Sequence, residues 1–409
     1  MSTPELLRIC IVTDAYLPSI GGVENHVLYL SAELKRLGHD VVVVTHKPPP
    51  VKKQVVRQVE SPVPVHRLAG GLLLFRDHDI AIDPRMVAAF KTLLDRSRFD
   101  IVHGQSEGSY LVYEALAAAR QRGIATVLTR HSLLRNKPAG ARSFLSLVMS
   151  RLIRRADGLI SVSRSCAEES AGFPGPVRVI PNGVDTTEFR PMPDERRRLR
   201  AELGFGDGDI VLGYIGRLHT TKGIPLLLDV FERLREEDAR LKLVLAGPGP
   251  LRGAVEERAR ASSGAITLLE PQPFDKVAPL LNALDVYAFP SKGEGFGISL
   301  LEAMACGLPS VAFGRWGVRE LVIDEETGLL ANTPAEFAEK LRRLTRDSRL
   351  RERLGQVALA SVEEKFSWPR IAAETVAFYR ELVRSGAPSA GDPAETRVVE
   401  RHRAPSDTG

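Results

Sequence analysis

Short runs of apolar residues recur along the chain, and between them apolar positions return every three or four residues. The runs Arg8-Ile-Cys-Ile-Val-Thr13 and His39-Asp-Val-Val-Val-Val-Thr45 predict buried strands; Asn25 to Leu37 between them has helical spacing that ends at Gly38. Further strands are predicted at Val63 to Leu68, Ile101 to His103, Thr126 to Thr129 and Gly158 to Val162. The alternation stops at Val179-Ile-Pro-Asn-Gly-Val-Asp185, a proline and an Asn-Gly turn followed by the charged run Asp194 to Arg200. It restarts at Ile210, with strands near Lys242 to Gly247, Ile266 to Leu269, Val286 to Pro290 and Ser310 to Phe313. Strands that are apolar nearly throughout and alternate with helices belong to parallel sheets covered on both faces. The expectation is an α/β protein of two doubly wound, Rossmann-like domains, 1–183 and 184–366, facing each other across a cleft. Ligands in such sheets bind beyond the carboxyl ends of the strands. Ser367 to Arg384 predicts a final helix within 367–385, and 386–409 is rich in proline, glycine and charge, the composition of a disordered tail.

Length and composition narrow this reading only slightly. A chain of 409 residues with 44% hydrophobic content suggests two or three domains with a sizeable core. No apolar stretch approaches the roughly 20 residues that span a bilayer, and the N-terminus enters a strand without a signal pattern. Cys10, Cys166 and Cys306 are widely spaced and odd in number, which indicates neither a disulfide framework nor a zinc site. These features place the chain in the cytoplasm. A net charge of +5 suits an anionic ligand, a membrane surface or a nucleic acid and selects none of them.

The most informative stretch is Ser291 to Glu302, S-K-G-E-G-F-G-I-S-L-L-E. An apolar strand precedes it, and a helix from about Ile298 to Cys306 follows, ended by Gly307 and Pro309. Strand, glycine-rich turn and helix start aim free backbone N–H groups at an anion, here those around Gly295, Phe296, Gly297 and Ile298. Glu294 and Glu302 frame the turn. Glycoside hydrolases hold their two carboxyls roughly 5–9.5 Å apart, whereas eight residues of helix rise about 12 Å. The pair suits two ends of one long ligand with an anionic middle better than one scissile bond. The plain alternative is a glycine turn with two solvated glutamates.

E-G-F-G-I-S-L-L-E resembles the Glu-x7-Glu signature of glycosyltransferase family 4, retaining enzymes of the GT-B fold that use nucleotide-sugar donors. The resemblance covers about Arg8 to Phe378. It implies that Glu294 binds sugar hydroxyls, that Glu302 binds the ribose diol, and that the final helix returns to the first domain. T-R-H-S-L and G-G-V-E-N-H look most like the enzymes that add N-acetylglucosamine to phosphatidylinositol, with inositol-phosphate glycosyltransferases close behind. The implied donor is a UDP-sugar. The implied acceptor is a hydroxyl, with lipid-linked and inositol-phosphate acceptors as candidates.

Other motifs fall in with this. Gly216-Arg-Leu-His-Thr-Thr-Lys-Gly223 follows a strand but is not a Walker loop, whose lysine precedes Ser or Thr. Arg217 offers planar hydrogen bonds and Lys222 a flexible point charge, a pair suited to a diphosphate. The stretch is similar to the family's G-R-L-x-x-x-K-G loop, which supports the leaving diphosphate. Gly247, in A-G-P-G-P, lets backbone approach a ligand, although a tight turn alone would explain it. By resemblance, Leu268 lies where the nucleotide base binds, and the loop of Gly21 and Gly22 covers the donor phosphates. A NAD fingerprint is absent there. His131 ends a strand at the cleft and is assigned a sugar or acceptor contact over a structural role. His103-Gly-Gln105 departs from the family's commoner His-x-His, and Gln105 receives no role.

Two Asp-x-Asp triplets, Asp77-His-Asp79 and Asp207-Gly-Asp209, lie away from these motifs. Arg217 and Lys222 supply the positive charge, so neither metal nor cofactor is called for. Ser143 to Arg155 forms an amphipathic helix with Lys137, Arg142, Arg151 and Arg155 nearby. A core-facing role is preferred, and peripheral contact with the inner face of the membrane is its rival. The expected enzyme is a glycosyltransferase moving a hexosyl or N-acetylhexosaminyl group. Its rivals are a nucleotide-sugar epimerase, a phosphorylase, and a non-catalytic membrane or nucleic-acid binder; the intact motifs argue against the last, and no nucleic acid is expected as a partner.

Overall fold

The computed structural model describes residues 5–14, 16–19, 21–46, 60–69, 72–73, 81–105, 108–133, 148 and 150–386. The first sheet contains β1 (Arg8–Thr13), β2 (Asp40–His46), β3 (Val65–Leu68), β6 (Ile101–Gln105), β7 (Ala125–Arg130), β8 (Gly158–Ser161) and β9 (Val177–Val179). Between β3 and β6, β4 (Leu72–Leu73) and β5 (Ala81–Ile82) form a separate antiparallel pair. The second sheet contains β10 (Ile210–Ile215), β11 (Leu241–Ala246), β12 (Ile266–Leu269), β13 (Val286–Phe289), β14 (Ser310–Phe313) and β15 (Leu329–Ala331). Strand order is β3-β2-β1-β6-β7-β8-β9 in the first sheet and β12-β11-β10-β13-β14-β15 in the second. Every pairing within these two sheets is parallel.

Period-two alternation decides which helices cover which face. Ile9, Ile11, Val41, Val43, Ile101 and Val127 pack with the Gly22–Arg36 helix and with the Trp368–Ser385 helix at the end of the chain. Their neighbours Cys10, Val12, Val44, Val102 and Leu128 pack with the Pro84–Arg96 and Tyr110–Arg120 helices. The final helix can approach closely because β8 begins with glycine: a Cβ on Gly158 would meet the Phe378 ring at 2.6 Å. Trp368 lies likewise over Gly183, where a Cβ would meet its ring at 2.7 Å.

The second sheet has one large core, and it reaches across the seam to take in Leu133, Val162 and Cys166 from the first half of the chain. In both sheets the order reverses beside the first strand, between β1 and β6 and between β10 and β13. Loops leaving β1 and β10 therefore open at switch points, where strands diverge and leave a crevice. The 18-residue final helix contains no long apolar run, and no helix among the described residues is long and apolar enough to cross a membrane.

Four strands go beyond the pattern read from the sequence, the two-residue β4 and β5 and, in the main sheets, β9 and β15. β9 and β15 are three residues each, too short for periodicity to register, and each lies at a sheet edge. The first helix begins at Gly22, three residues before the apolar spacing starts. The expected tail lies outside the described residues from 387 onward.

Candidate active site

Glycines bring the loops of the second sheet together. After β10, Gly216 takes φ 154°, and the chain turns through a short 3₁₀ segment, Thr220–Lys222, before Gly223 at φ 73°. His219 caps that turn, its Nδ1 accepting from the Thr221 N–H at 3.1 Å. A Cβ on Gly223 would sit 2.2 Å from the Pro290 carbonyl oxygen, so this loop lies directly on the end of β13. The glycine-rich turn carrying Glu294 leaves from that same end. Lys222 Nζ consequently reaches Glu294 Oε1 at 2.6 Å, an ion pair that is mostly sheltered from solvent. Arg217 is exposed and has no carboxylate partner among the described residues.

Two buried tyrosines lie beneath these charges. Burial first, then Tyr287 and Glu294, hold the Tyr214 phenol above its ordinary range, with Arg217 opposing. Tyr287 donates from its hydroxyl to the Ile215 carbonyl at 3.0 Å. Its phenol is also raised, chiefly by burial, with both Glu302 and Glu294 contributing. Arg217 and Glu294 thus share one phenol, and the two glutamates share the other.

Gly297, at φ 110°, caps the Ile298–Ala305 helix, whose first amides have no carbonyl one turn back to bond. The Phe296 ring is buried against Phe366, with centroids 5.9 Å apart, so only its backbone is available to a ligand. Glu302 is 9% exposed and lines a small cavity with Ile298, His26, Asn182 and Trp368. Leu268 packs partly buried on the second core. A Cβ on Gly247 would lie 2.0 Å from the Gly216 carbonyl oxygen, which explains that glycine by loop packing alone.

The first half contributes from the facing side. A Cβ on Gly22 would lie 3.0 Å from Ile298 Cδ1, and one on Gly295 would lie 2.5 Å from the His131 carbonyl oxygen. Gly21 is the extended N-cap of the first helix. His131 thus borders the Glu294 loop, and its Nε2 hydrogen-bonds Gln105 Oε1 at 2.8 Å. Its ring meets that of His26 edge-on at 4.8 Å, and His26 Nδ1 pairs with Asn182 Oδ1 at 2.8 Å. Burial, then the neighbouring His103, brings the His131 pKa down to about 3. Behind the loops, the Glu320 carboxylate crosses the seam and accepts from the Arg164 and Ser165 amides at 2.9 and 3.3 Å.

The sequence reading gave Gln105 no role and did not single out Tyr214, Tyr287 or Glu320. Gln105 carried a signal: it stands two residues after His103 and therefore on the same strand face. The seam contacts of Glu320 carried none.

Asp77 to Asp79 lie outside the described residues. Asp209 is used in its own turn, its Oδ2 accepting from the Gly206 amide at 2.8 Å. Among the described residues no group of three or more His, Cys, Asp or Glu could hold a metal ion. Of the amphipathic stretch, 143–147 and 149 lie outside the described residues, as do Lys137 and Arg142. Its described end turns inward, with Ile153 buried and Leu152 packed on the core.

Comparison with known proteins fits this geometry. Residues 20–188 match the Glycosyltransferase Family 4 model and residues 209–347 the model for Glycosyl transferases group 1. A phosphatidylinositol N-acetylglucosaminyltransferase subunit of Arabidopsis thaliana is 30% identical over 83% of this chain and 75% of its own length. The alpha-maltose-1-phosphate synthase of Mycolicibacterium smegmatis is 30% identical over 92% of this chain and all of its own. Among solved structures, the sucrose-phosphate synthase of Thermosynechococcus elongatus superposes with a TM-score of 0.75 at 24% identity, covering 93% of this chain and all of that one. The Anabaena protein HepE, in complex with UDP and glucose, gives 0.74 at 20% identity, covering 92% and 100%. These relatives support nucleotide-sugar glycosyl transfer and not epimerisation. With this fold and these motifs, the chain belongs to glycosyltransferase family 4, the group 1 glycosyltransferases of GT-B architecture.

Proposed function

We propose that this enzyme transfers a hexosyl or N-acetylhexosaminyl group, with retention of configuration, from a UDP-sugar to a hydroxyl of a phosphate-bearing acceptor such as phosphatidylinositol or an inositol phosphate. The Lys222–Glu294 ion pair carries the reading, because it joins the basic loop to the glutamate turn at the switch point of the second sheet. Arg217 and Lys222 hold the diphosphate, Glu294 the sugar and Glu302 the ribose diol. As the sugar bond breaks, negative charge develops on the leaving diphosphate. The two cations and the amides at Gly297 and Ile298 meet it in place of a metal. Gly21 and Gly22 close over the donor, Gly247, Gly295 and Phe296 contribute backbone, Leu268 lies at the base, and His131 touches sugar or acceptor. Residues 1–183 form the acceptor side and 184–366 the donor side, with 367–385 completing the first.

The relatives support the acceptor class. Structural neighbours contain UDP, and phosphate recurs in phosphatidylinositol, maltose-1-phosphate and sucrose-phosphate. A lipid acceptor places the enzyme on the cytoplasmic face of a membrane. The second reading is a soluble sugar phosphate, favoured because the maltose-1-phosphate synthase is matched over its whole length. A panel of nucleotide sugars, crossed with phosphatidylinositol vesicles, inositol phosphate and a hexose 1-phosphate and read by mass, tests both. A product on the hexose 1-phosphate alone supports the second reading, and no product with any UDP-sugar overturns the donor.

A further inference from the structure

His103 and Gln105 share the face of β6 that the final helix covers, and neither belongs to the donor machinery. Their contacts form one continuous line. Tyr379, from the final helix, bonds His103 Nδ1 at 2.5 Å. His103 Nε2 lies 2.6 Å from Thr129 Oγ1 and 3.1 Å from Gln105 Nε2. Gln105 Oε1 then bonds His131 Nε2 at 2.8 Å, and the His131 carbonyl abuts Gly295 of the glutamate turn. Tyr379, His103, Thr129 and Gln105 are all 0% exposed.

The direction of the protons follows from the donors and acceptors available. An amide oxygen can only accept, so His131 donates from Nε2. The Tyr379 and Thr129 hydroxyls bond the two ring nitrogens of His103, one giving and the other accepting, while the Gln105 NH₂ lies over the ring, 3.4 Å from Nδ1 and 3.1 Å from Nε2, with its oxygen turned toward His131. Buried polar groups cost free energy unless each is satisfied, and apolar residues would cover this sheet face without that risk. Such a line is better explained by what it holds at its end.

We propose that Tyr379, His103 and Gln105 are positioning residues that lock His131 as the Nε2–H tautomer, so that its Nδ1 is the acceptor nitrogen for a hydroxyl of the transferred sugar or of the acceptor. A helix from the far end of the chain thereby sets the chemistry of a side chain in the cleft. The inference rests on the reading of His131 as a substrate contact.

The test uses the full chain with ¹⁵N-labelled histidine, the His131 signal being assigned through His131→Asn. The parent is expected to show the Nε2–H form. Gln105→Leu is expected to give a mixture of tautomers and to lower kcat for UDP release from UDP-glucose or UDP-N-acetylglucosamine about tenfold, with donor KM within about twofold. Tyr379→Phe is expected to shift both in the same direction by less. A parent spectrum of the Nδ1–H form overturns the proposal, even where a variant fails to fold. So does Gln105→Leu with an unchanged tautomer or an unchanged kcat. Full turnover in His131→Asn would instead overturn the substrate contact, and the parent spectrum would still decide the lock.

Discussion

Arg217 and Lys222 lie on one loop beyond the same strand, yet the structure treats them differently. Lys222 is already neutralised by Glu294, whereas Arg217 stands exposed without a carboxylate among the described residues. A hydrogen bond to a charged group contributes roughly 1.5–3 kcal/mol, so Arg217→Ala should lower kcat/KM for the donor by about tenfold to a hundredfold. Donor kinetics equal to the parent would remove Arg217 from the phosphate site. The two glutamates should separate by ligand. Glu302→Gln should weaken binding of free UDP, and Glu294→Gln should chiefly slow turnover of the whole donor. Calorimetry with free UDP decides, and an equal loss in both variants would merge the two roles. Residue chemistry was only half legible in the sequence. His131 could be placed at a cleft from its strand end, but its partner Gln105 was set aside because a motif letter differed. In the structure the Gln105 amide oxygen stands 2.8 Å from His131 Nε2, and a motif compares letters without testing hydrogen-bond directions.

At the scale of elements, the strand ends and the glutamate helix could be read from apolar runs and glycine stops. The reasons for the glycines could not. Gly223, Gly247, Gly249 and Gly295 each face a backbone carbonyl of another loop at a distance where no Cβ fits. These contacts join segments far apart in sequence, and no local pattern reports them. Gly223 is the sharpest case, because a left-handed φ of 73° and the Pro290 carbonyl at 2.2 Å both oppose a side chain. Gly223→Ala should cost on the order of 2–3 kcal/mol, lower the Tm by several degrees and separate Lys222 from Glu294, with donor use falling alongside. Gly208→Ala is the control, since nothing lies within 4 Å of its Cβ position. Equal melting of the two variants would show that the loop gives way and that the close approach does not hold the site together.

Across the whole molecule, the two parallel sheets followed from a pattern that stops and restarts, but the first sheet is finished by residues from the end of the chain. Tyr379 and Trp368 lie beside His103 and His26, and nothing near any of them in sequence announces this. That assembly should set the acid limit of stability. His103 is fully buried, bonded to Tyr379 and Thr129 and next to Gln105, and burial followed by the charge of His26 lowers its pKa to about 3. In the unfolded chain the same imidazole titrates near 6.5. Between these values the unfolded state holds a proton that the native state does not, so stability rises with pH and falls on acidification. The contribution is fully present above about pH 6.5 and is lost progressively toward pH 3, at about 1.4 kcal/mol per pH unit for one histidine. His26, also lowered well below its ordinary range by burial, acts in the same sense. Urea unfolding of the parent between pH 7 and 4 should therefore show stability declining on acidification. In His103→Asn the decline should be shallower by about one proton, although the variant is less stable at pH 7 for want of the Tyr379 bond. The slope, not the midpoint, carries the argument. Identical slopes in parent and variant would mean that His103 takes up its proton in the native state at ordinary pH, and the buried line from Tyr379 to His131 would then have to carry a charge.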